Sequence, residues 1–205
     1  AGVGRGEVCG VAVRGGGGGA AARARREVGA AGGVGGGLVV HVGCGDGKLM
    51  AGLRGSDSYL VHGLDADPAN VAAARKHIRS LGVYGPVSVA GFDGKRLPYA
   101  ENMVNLLVSE NLGGVPMSEV MRVVAPEGVA YVKSGGKWTK TVKPRPAEMD
   151  EWTHFRHSAE GNMVSQDQLI GPPRHVQWIS GPIFQRHHGI VPSITTIVAA
   201  GGRMF

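Results

Sequence analysis

Leu38 to Met50 reads LVVHVGCGDGKLM, an apolar and largely β-branched run that empties into glycines at 43, 45 and 47. A short apolar run bounded by glycines is a buried strand. Beyond it, Lys48 to Arg54 places Leu49 and Leu53 on one side of a short helix that Gly55 ends. Glycine is needed where a backbone turns with positive φ, or comes so near a ligand that a Cβ would collide. A following helix adds free N–H groups and a positive dipole end. The three glycines taken alone are equally consistent with a bare turn and with a loop for a nucleotide-like ligand.

The residues downstream extend the pattern. YLVHGLD, residues 59 to 65, is a second strand. Asp67 then stands as an N-cap, Pro68 takes the first helical position, and Val71, Ala74, Ile78 and Leu81 form one stripe with Arg75, Lys76 and Arg79 outside it. Gly82 closes that helix. Further strands are expected at Val87 to Phe92, Val104 to Ser109 and Val129 to Lys133, with a helix from Ser118 to Val124 that stops before Pro126. Strands that alternate with helices and are apolar throughout specify an α/β fold with a parallel, doubly wound, Rossmann-like sheet.

In such sheets ligands bind outside the carboxyl ends of the strands, where the strand order reverses. Four features fall there: the Gly43 to Gly47 loop, Asp65, Asp93 with Gly94, and Glu110 with Asn111. Asp65 ends the second strand about 20 residues past the loop, as a carboxylate accepting from ribose hydroxyls would. Any one of these acids could instead cap a helix or form a turn, as Asp67 does. Three acids at three consecutive strand ends point to a site.

VVHVGCGDG, VHGLDADPANVAAAR, GFDGKRLPYAENMVN and EVMRVVAPEGVAYV together resemble, in order and spacing, the successive motifs of class I S-adenosylmethionine-dependent methyltransferases. The resemblance covers about residues 38 to 133 and implies strand order 3-2-1-4-5. It also implies that Gly43, Gly45 and Gly47 line the methionine and ribose part of S-adenosylmethionine, that Asp65 binds the ribose hydroxyls, and that Asp93, followed by Gly94, accepts from the adenine amino group. His41 stands where the family has an acid that holds the cofactor's methionine end; a neutral imidazole accepts one hydrogen bond but brings no negative charge. Glu110 and Asn111 are the catalytic candidates, from position alone. Ser109 to Leu112 lacks the double proline and aromatic residue of amino-directed nucleic-acid methyltransferases, which argues against nucleic acid as substrate. A dinucleotide-binding domain would need glycine at position 48, where Lys48 stands.

Charge and composition mark off the two ends. Fifteen of the 36 glycines lie in residues 1 to 37, including GGGGG at 15 to 19, and this segment is expected to be disordered. The net charge of +6 comes from the ends, since residues 38 to 132 hold eight basic and nine acidic groups. Lys133 to Arg145, with five basic residues and no acid, reads as a solvated linker or as a surface for an anionic partner. Cys9 and Cys44 are too few for a disulfide framework. No apolar run reaches the ~20 residues of a membrane span, and no uninterrupted signal-peptide core is visible. Localisation stays open, cytoplasmic if the methyltransferase reading alone is weighed.

From Ser134 the composition shifts to Pro, His and Trp. EWTHFRHSAEGN with Ser165, Asp167, Pro172, Pro173 and Trp178, followed by HHGIVPSITTIVAAGGRMF, resembles the opening of quinoprotein-like β-propellers of the pyrroloquinoline quinone repeat type. Residues 134 to 205 would then be a linker and the first strands of an incomplete propeller, an irregular or β tail of a bacterial fusion protein. The missing blades would be its intramolecular partner. A chain opening on Ala1 and ending at Phe205 is expected to be a fragment, and pyrroloquinoline quinone is not assignable to it. His154, His157, His187 and His188 lack an acid or cysteine at metal-binding spacing, so no metal site is expected. Two functions follow: a methyltransferase of unknown acceptor, or a non-catalytic, vestigial cofactor-binding module beside a propeller.

Overall fold

A computed structural model of the chain describes residues 35–169, 197–200 and 203–204, and the chain divides into two units between Pro144 and Arg145. In the first unit the elements follow one another as β1 (Gly37–Val42), α1 (Lys48–Leu53), β2 (Tyr59–Asp65), α2 (Pro68–Ser80), β3 (Val87–Gly91), β4 (Val104–Ser109), α3 (Met117–Val123), β5 (Val124–Ser134) and β6 (Lys137–Val142). They form one sheet of order β3-β2-β1-β4-β5-β6. The first five strands are parallel and β6 is antiparallel to β5. β1 pairs with both β2 and β4, so the order reverses beside it, and the glycine loop leaves the sheet at the switch point.

Strand alternation divides the core. Val39, Val61, Val87 and Val108 face α1 and α2, burying Met50, Ala74 and Ile78. Val40, Val42, Leu64 and Leu107 face α3 through Val120 and Val123. Helices on both faces explain why the strands read as apolar runs without alternation. The capping of α2 follows its sequence: the Asp67 side chain accepts from the Ala69 amide at 2.8 Å, Pro68 opens the helix, and Gly82 leaves it with φ 69°.

The sheet does not stop at Lys133. Gly135 and Gly136, both with positive φ (57° and 81°), make a two-residue turn that returns the chain as β6, from Ser134 paired with Lys137 to Val129 paired with Val142. Trp138 stacks on Tyr131, centroids 4.8 Å apart and planes 5° apart, within this sheet, although the sequence places it in the linker and propeller segment from 134 onward. Lys143, read as part of a solvated linker, donates from Nζ to the carbonyls of Met121 (2.6 Å) and Val124 (2.9 Å) and to Asn102 Oδ1 (2.7 Å). It caps the carboxyl end of α3 and ties β6 to it. β5 also begins earlier than the sequence indicates. Pro126 and the positive φ of Glu127 (63°) are absorbed where the β4–β5 register shifts between Val104 and Leu106.

In the second unit β7 (Ala199–Ala200) pairs antiparallel with β8 (Arg203–Met204), and Trp152 bridges Ala199. Asp150 Oδ2 gathers His157 Nε2 (2.7 Å), the Gln166 amide (2.7 Å) and Ser165 Oγ (3.2 Å). These hydrogen bonds, the Gln166 amide first, hold the Asp150 carboxyl down at about 2 against its partial desolvation. Phe155, Met163, Val164 and Leu169 are exposed. Most of the glycine-rich segment, Pro172, Pro173, Trp178, His187 and His188 lie outside the described residues.

Candidate functional site

The glycine loop is fixed from within. Gly43 and Cys44 amides donate to the Leu64 carbonyl (2.8 and 3.1 Å), Gly47 N to the Cys44 carbonyl (3.0 Å), Gly45 N to Asp65 Oδ2 (2.9 Å) and Lys48 N to Asp46 Oδ1 (3.2 Å). The sequence leads one to expect free amides at the start of the following helix; the amides of Gly43, Cys44, Gly45, Gly47 and Lys48 are engaged inside the protein. The loop is therefore not built as a phosphate cradle, which would need those N–H groups pointing outward.

Each glycine has a different reason. All three have positive φ: 72° at Gly43, 53° at Gly45 and 77° at Gly47. A Cβ on Gly47 would lie 2.9 Å from the Ala74 Cβ, so this position serves the packing of the loop on α2. A Cβ on Gly43 would come to 3.1 Å from the Asn111 carbonyl, which brings the loop and the end of β4 together. Around Gly45 nothing lies within 4 Å of that direction. It is the member of the three that faces open space.

Asp65, 7% exposed, accepts from Gly45 N, from Asp67 N (3.0 Å) and from Asn70 Nδ2 (3.1 Å). Burial alone would raise its pKa, but the Asp67 and Gly45 amides and Asn70 outweigh that and hold it below the ordinary carboxylate value. With three bonds accepted, about one of a carboxylate's four acceptor positions remains. Asn70, in the first turn of α2, escaped the sequence reading, although a polar side chain five residues beyond a strand-end acid is within reach of it.

His41 lies on β1 between Gly63 of β2 and Val108 of β4 and is 3% exposed. Among the described residues neither ring nitrogen has a hydrogen-bond partner. Burial pulls its pKa from 6.5 down to about 4, with the Asp65 charge acting in the other direction, so the ring is neutral near pH 7. Cys44 is buried too, and desolvation first, then Asp65, pushes its thiol up to about 12, which leaves it unreactive.

Asp93 is exposed and shapes its own loop: Oδ1 accepts from the Lys95 and Arg96 amides at 2.8 Å each, Arg96 leading in holding its pKa down. Gly94 has φ 75°, and a Cβ there would meet the Ala66 Cβ at 3.4 Å. A Cβ on Gly114 would lie 3.0 Å from the Gly94 carbonyl. The structure thus brings Gly43 to Asn111, Gly45 to Asp65, and Ala66, Gly94 and Gly114 to one another, all at the carboxyl ends of β1 to β4. Asn111 Oδ1 accepts from Gly113 N (2.9 Å). The Glu110 side chain is exposed and makes no hydrogen bond or ion pair among the described residues. Among the described residues no three His, Cys, Asp or Glu side chains gather as a metal site, and no helix is long and apolar enough to cross a membrane.

This arrangement of parallel strands, glycine loop and strand-end acids coincides with a known domain. Residues 39–136 match the family model described as a methyltransferase domain. No curated protein matches the chain. Among solved structures, a candidate S-adenosyl-L-methionine-dependent methyltransferase from Methanococcus maripaludis is similar at 19% identity and TM-score 0.49, over 57% of this chain and 56% of that one. A candidate sarcosine dimethylglycine methyltransferase from Galdieria sulphuraria is similar at 17% identity and TM-score 0.49, over 55% and 45%. Geranyl diphosphate C-methyltransferase from Streptomyces coelicolor A3(2), solved with Mg2+, geranyl diphosphate and S-adenosyl-L-homocysteine, is similar at 20% identity and TM-score 0.44, over 47% and 38%. The chain spans about half the length of the first of these and less of the others.

Proposed function

We propose that this methyltransferase domain binds S-adenosylmethionine at the carboxyl ends of β1 to β4 and transfers its methyl group to an acceptor. The observation that carries the proposal is the loop itself: its amides are engaged internally, yet Gly45 opens onto free space beside a buried strand-end carboxylate. Such a site suits a nucleoside without phosphates and disfavours a dinucleotide, whose pyrophosphate needs the amides.

The residues present fit the cofactor. Asp65 retains acceptor capacity for a ribose hydroxyl. Asp93 Oδ2 has no bond to another residue among the described residues and is suited to an adenine amino group, with Gly94 keeping the turn open. Gly43, Gly45 and Gly47 keep side chains away from the methionine and ribose part. His41, whose two buried nitrogens have no partner among the described residues, fits the methionine end, whose ammonium would give one of them a donor. When bound, S-adenosylmethionine supplies an electrophilic methyl on its sulfonium. The chain contributes orientation, which accounts for much of the rate in an in-line transfer. Glu110 is free to take the acceptor's proton, and the Asn111 amide to orient the acceptor.

A second reading is favoured by His41. Without a negative charge at that position the domain could be a non-catalytic cofactor-binding module. The tail reading belongs with it: residues 134 to 205 would open a quinoprotein-like propeller of a bacterial protein, supported by the antiparallel β7–β8 pair and the Trp152–Ala199 bridge. Calorimetry with S-adenosylmethionine and with NADH decides among these. Binding of S-adenosylmethionine alone supports the cofactor, and methyl transfer from it to any acceptor supports the enzyme. Binding of NADH in its place overturns the assignment. Blade-like repeats in a longer reading frame would support the propeller.

A further inference from the structure

Residues 92–103, between β3 and β4, carry Asp93 and Gly94 and contain no helix or strand. A loop of that length is ordinarily among the first parts of a domain to open. Here a pair of side chains on α3 holds its middle. Glu119 Oε1 accepts from the Leu97 amide at 2.9 Å. Arg122 donates from Nη1 to the Tyr99 carbonyl (3.0 Å) and from Nη2 to the Leu97 carbonyl (3.2 Å). The same two side chains grip one another, Nε to Oε2 and Nη2 to Oε1 at 2.7 Å each. The Arg122 carbonyl accepts from the Asn102 amide at 3.0 Å. Hydrogen bonds from Arg122, the largest influence, hold the Glu119 carboxyl down at about 2, so the pair stays charged through the physiological range.

The ties meet the site in one turn of chain. Three successive amides are taken: those of Lys95 and Arg96 by Asp93, and that of Leu97 by Glu119. Leu97, 1% exposed, anchors the turn in the core below α3. The Tyr99 hydroxyl and His62 Nδ1 on β2 share a further hydrogen bond at 2.7 Å. All three guanidinium nitrogens of Arg122 are used, at angles that only a planar fork supplies. Where the Leu97 amide sits therefore determines where the Asp93 carboxylate sits.

We propose that Glu119 and Arg122 are positioning residues that hold the Asp93 turn in register and so set the selectivity of the site for a base with an exocyclic amino group. The proposal rests on the assignment of Asp93 to the adenine amino group. The test compares binding of S-adenosylhomocysteine with that of its analogue in which purine replaces adenine, which lacks only that amino group. Calorimetry on the full chain supplies the affinities, alongside thermal denaturation. The unaltered chain is expected to favour the adenine compound by on the order of tenfold, the effect of one hydrogen bond to a charged acceptor. Asp93→Ala removes that preference. Arg122→Met is expected to bring the ratio to within about threefold of unity, and Arg122→Lys, with charge but no fork, not to restore it. If Arg122→Met does not fold, Glu119→Gln, with the same shape and no charge, carries the same comparison. Equal weakening of both ligands with the ratio kept is what a merely structural role would give, and it overturns the proposal. An unaltered chain that shows no preference, or an Asp93→Ala chain that keeps it, overturns the proposal as well but places the fault in the role given to Asp93.

Discussion

His41→Leu separates the stability of the ligand-free domain from its function. A neutral imidazole has one donor and one acceptor, and at His41 both are buried without a partner among the described residues. A buried polar group left unpaired costs about 1–3 kcal/mol, and Leu fills a similar volume without that penalty. The variant is therefore expected to be more stable at pH 7 by about 1–3 kcal/mol, which raises Tm by roughly 2–12 °C in a chain of this size. Acid widens the gap. The folded pKa is depressed from 6.5 to about 4, so below pH 6.5 the unfolded chain takes up a proton that the folded chain refuses until about pH 4. The protein carrying His41 thus loses stability as pH falls through that window, by up to about 3 kcal/mol, and the Leu variant does not. Binding moves the opposite way. Loss of an acceptor for a charged ammonium should weaken S-adenosylmethionine by roughly tenfold to a hundredfold. Thermal denaturation from pH 7.5 to 4, with and without S-adenosylmethionine, reads all three effects. A variant less stable than the parent at pH 7 without ligand would refute the unpaired assignment, and a more stable one with unchanged affinity would remove His41 from the cofactor site.

The glycines can be distinguished by the same assays. Gly47→Ala drives a Cβ to 2.9 Å from the Ala74 Cβ and should lower stability by at least about 2 kcal/mol, whereas Gly45→Ala meets nothing within 4 Å and bears only the left-handed backbone penalty of about 1–2 kcal/mol. Gly45→Ala should nevertheless weaken S-adenosylmethionine more than Gly47→Ala does once each is measured on folded protein; the reverse order would move the ligand away from the loop. Asp65→Ala should lower stability and binding together, because it frees the partly buried amides of Gly45 and Asp67 as well as Asn70, so lost binding in this variant counts only beside a folded-state control. Lys143→Met should cost about 1.5–3 kcal/mol in urea denaturation by uncapping Met121, Val124 and Asn102, while Lys140→Met, on the exposed side of β6, should stay within about 0.5 kcal/mol.

What could be read from the sequence was whatever is fixed by period and by local chemistry. The strands at 38–42, 59–65 and 104–109 announced themselves as apolar runs because helices cover both sheet faces, and α2 did so because Asp67 and Pro68 cap it through bonds two residues long. β6 did not, although its turn was visible: Gly135 and Gly136 are the pair that a two-residue hairpin takes, but lysines at 137 and 140, with Lys143 just beyond, gave the strand the composition of a solvated linker. Charge on an edge strand is how proteins keep such an edge from pairing further, so the residues that hid the strand are the ones an edge strand is expected to carry.

The site divides along the same line. That Gly43, Asp65, Asp93 and Glu110 fall at successive strand ends is a matter of counting, and the sheet order then brings their loops together without any further information. The direction of each amide and carboxylate is not countable. Asp65 could have pointed at a ligand with all its acceptor positions free; it closes on Gly45, Asp67 and Asn70 instead, and this converts a phosphate-like loop into one suited to an uncharged nucleoside. The segment MRVVAPEG shows no chemical role in the sequence, because the partner its arginine has nearby in the chain is Glu119, three residues earlier. Its other partners, Leu97 and Tyr99, lie 25 and 23 residues away, and only the packing of α3 against the loop brings them within reach. A residue whose partners are that distant reads as a surface charge until the tertiary structure is known, which is why the pair that holds the Asp93 turn had to be found in space.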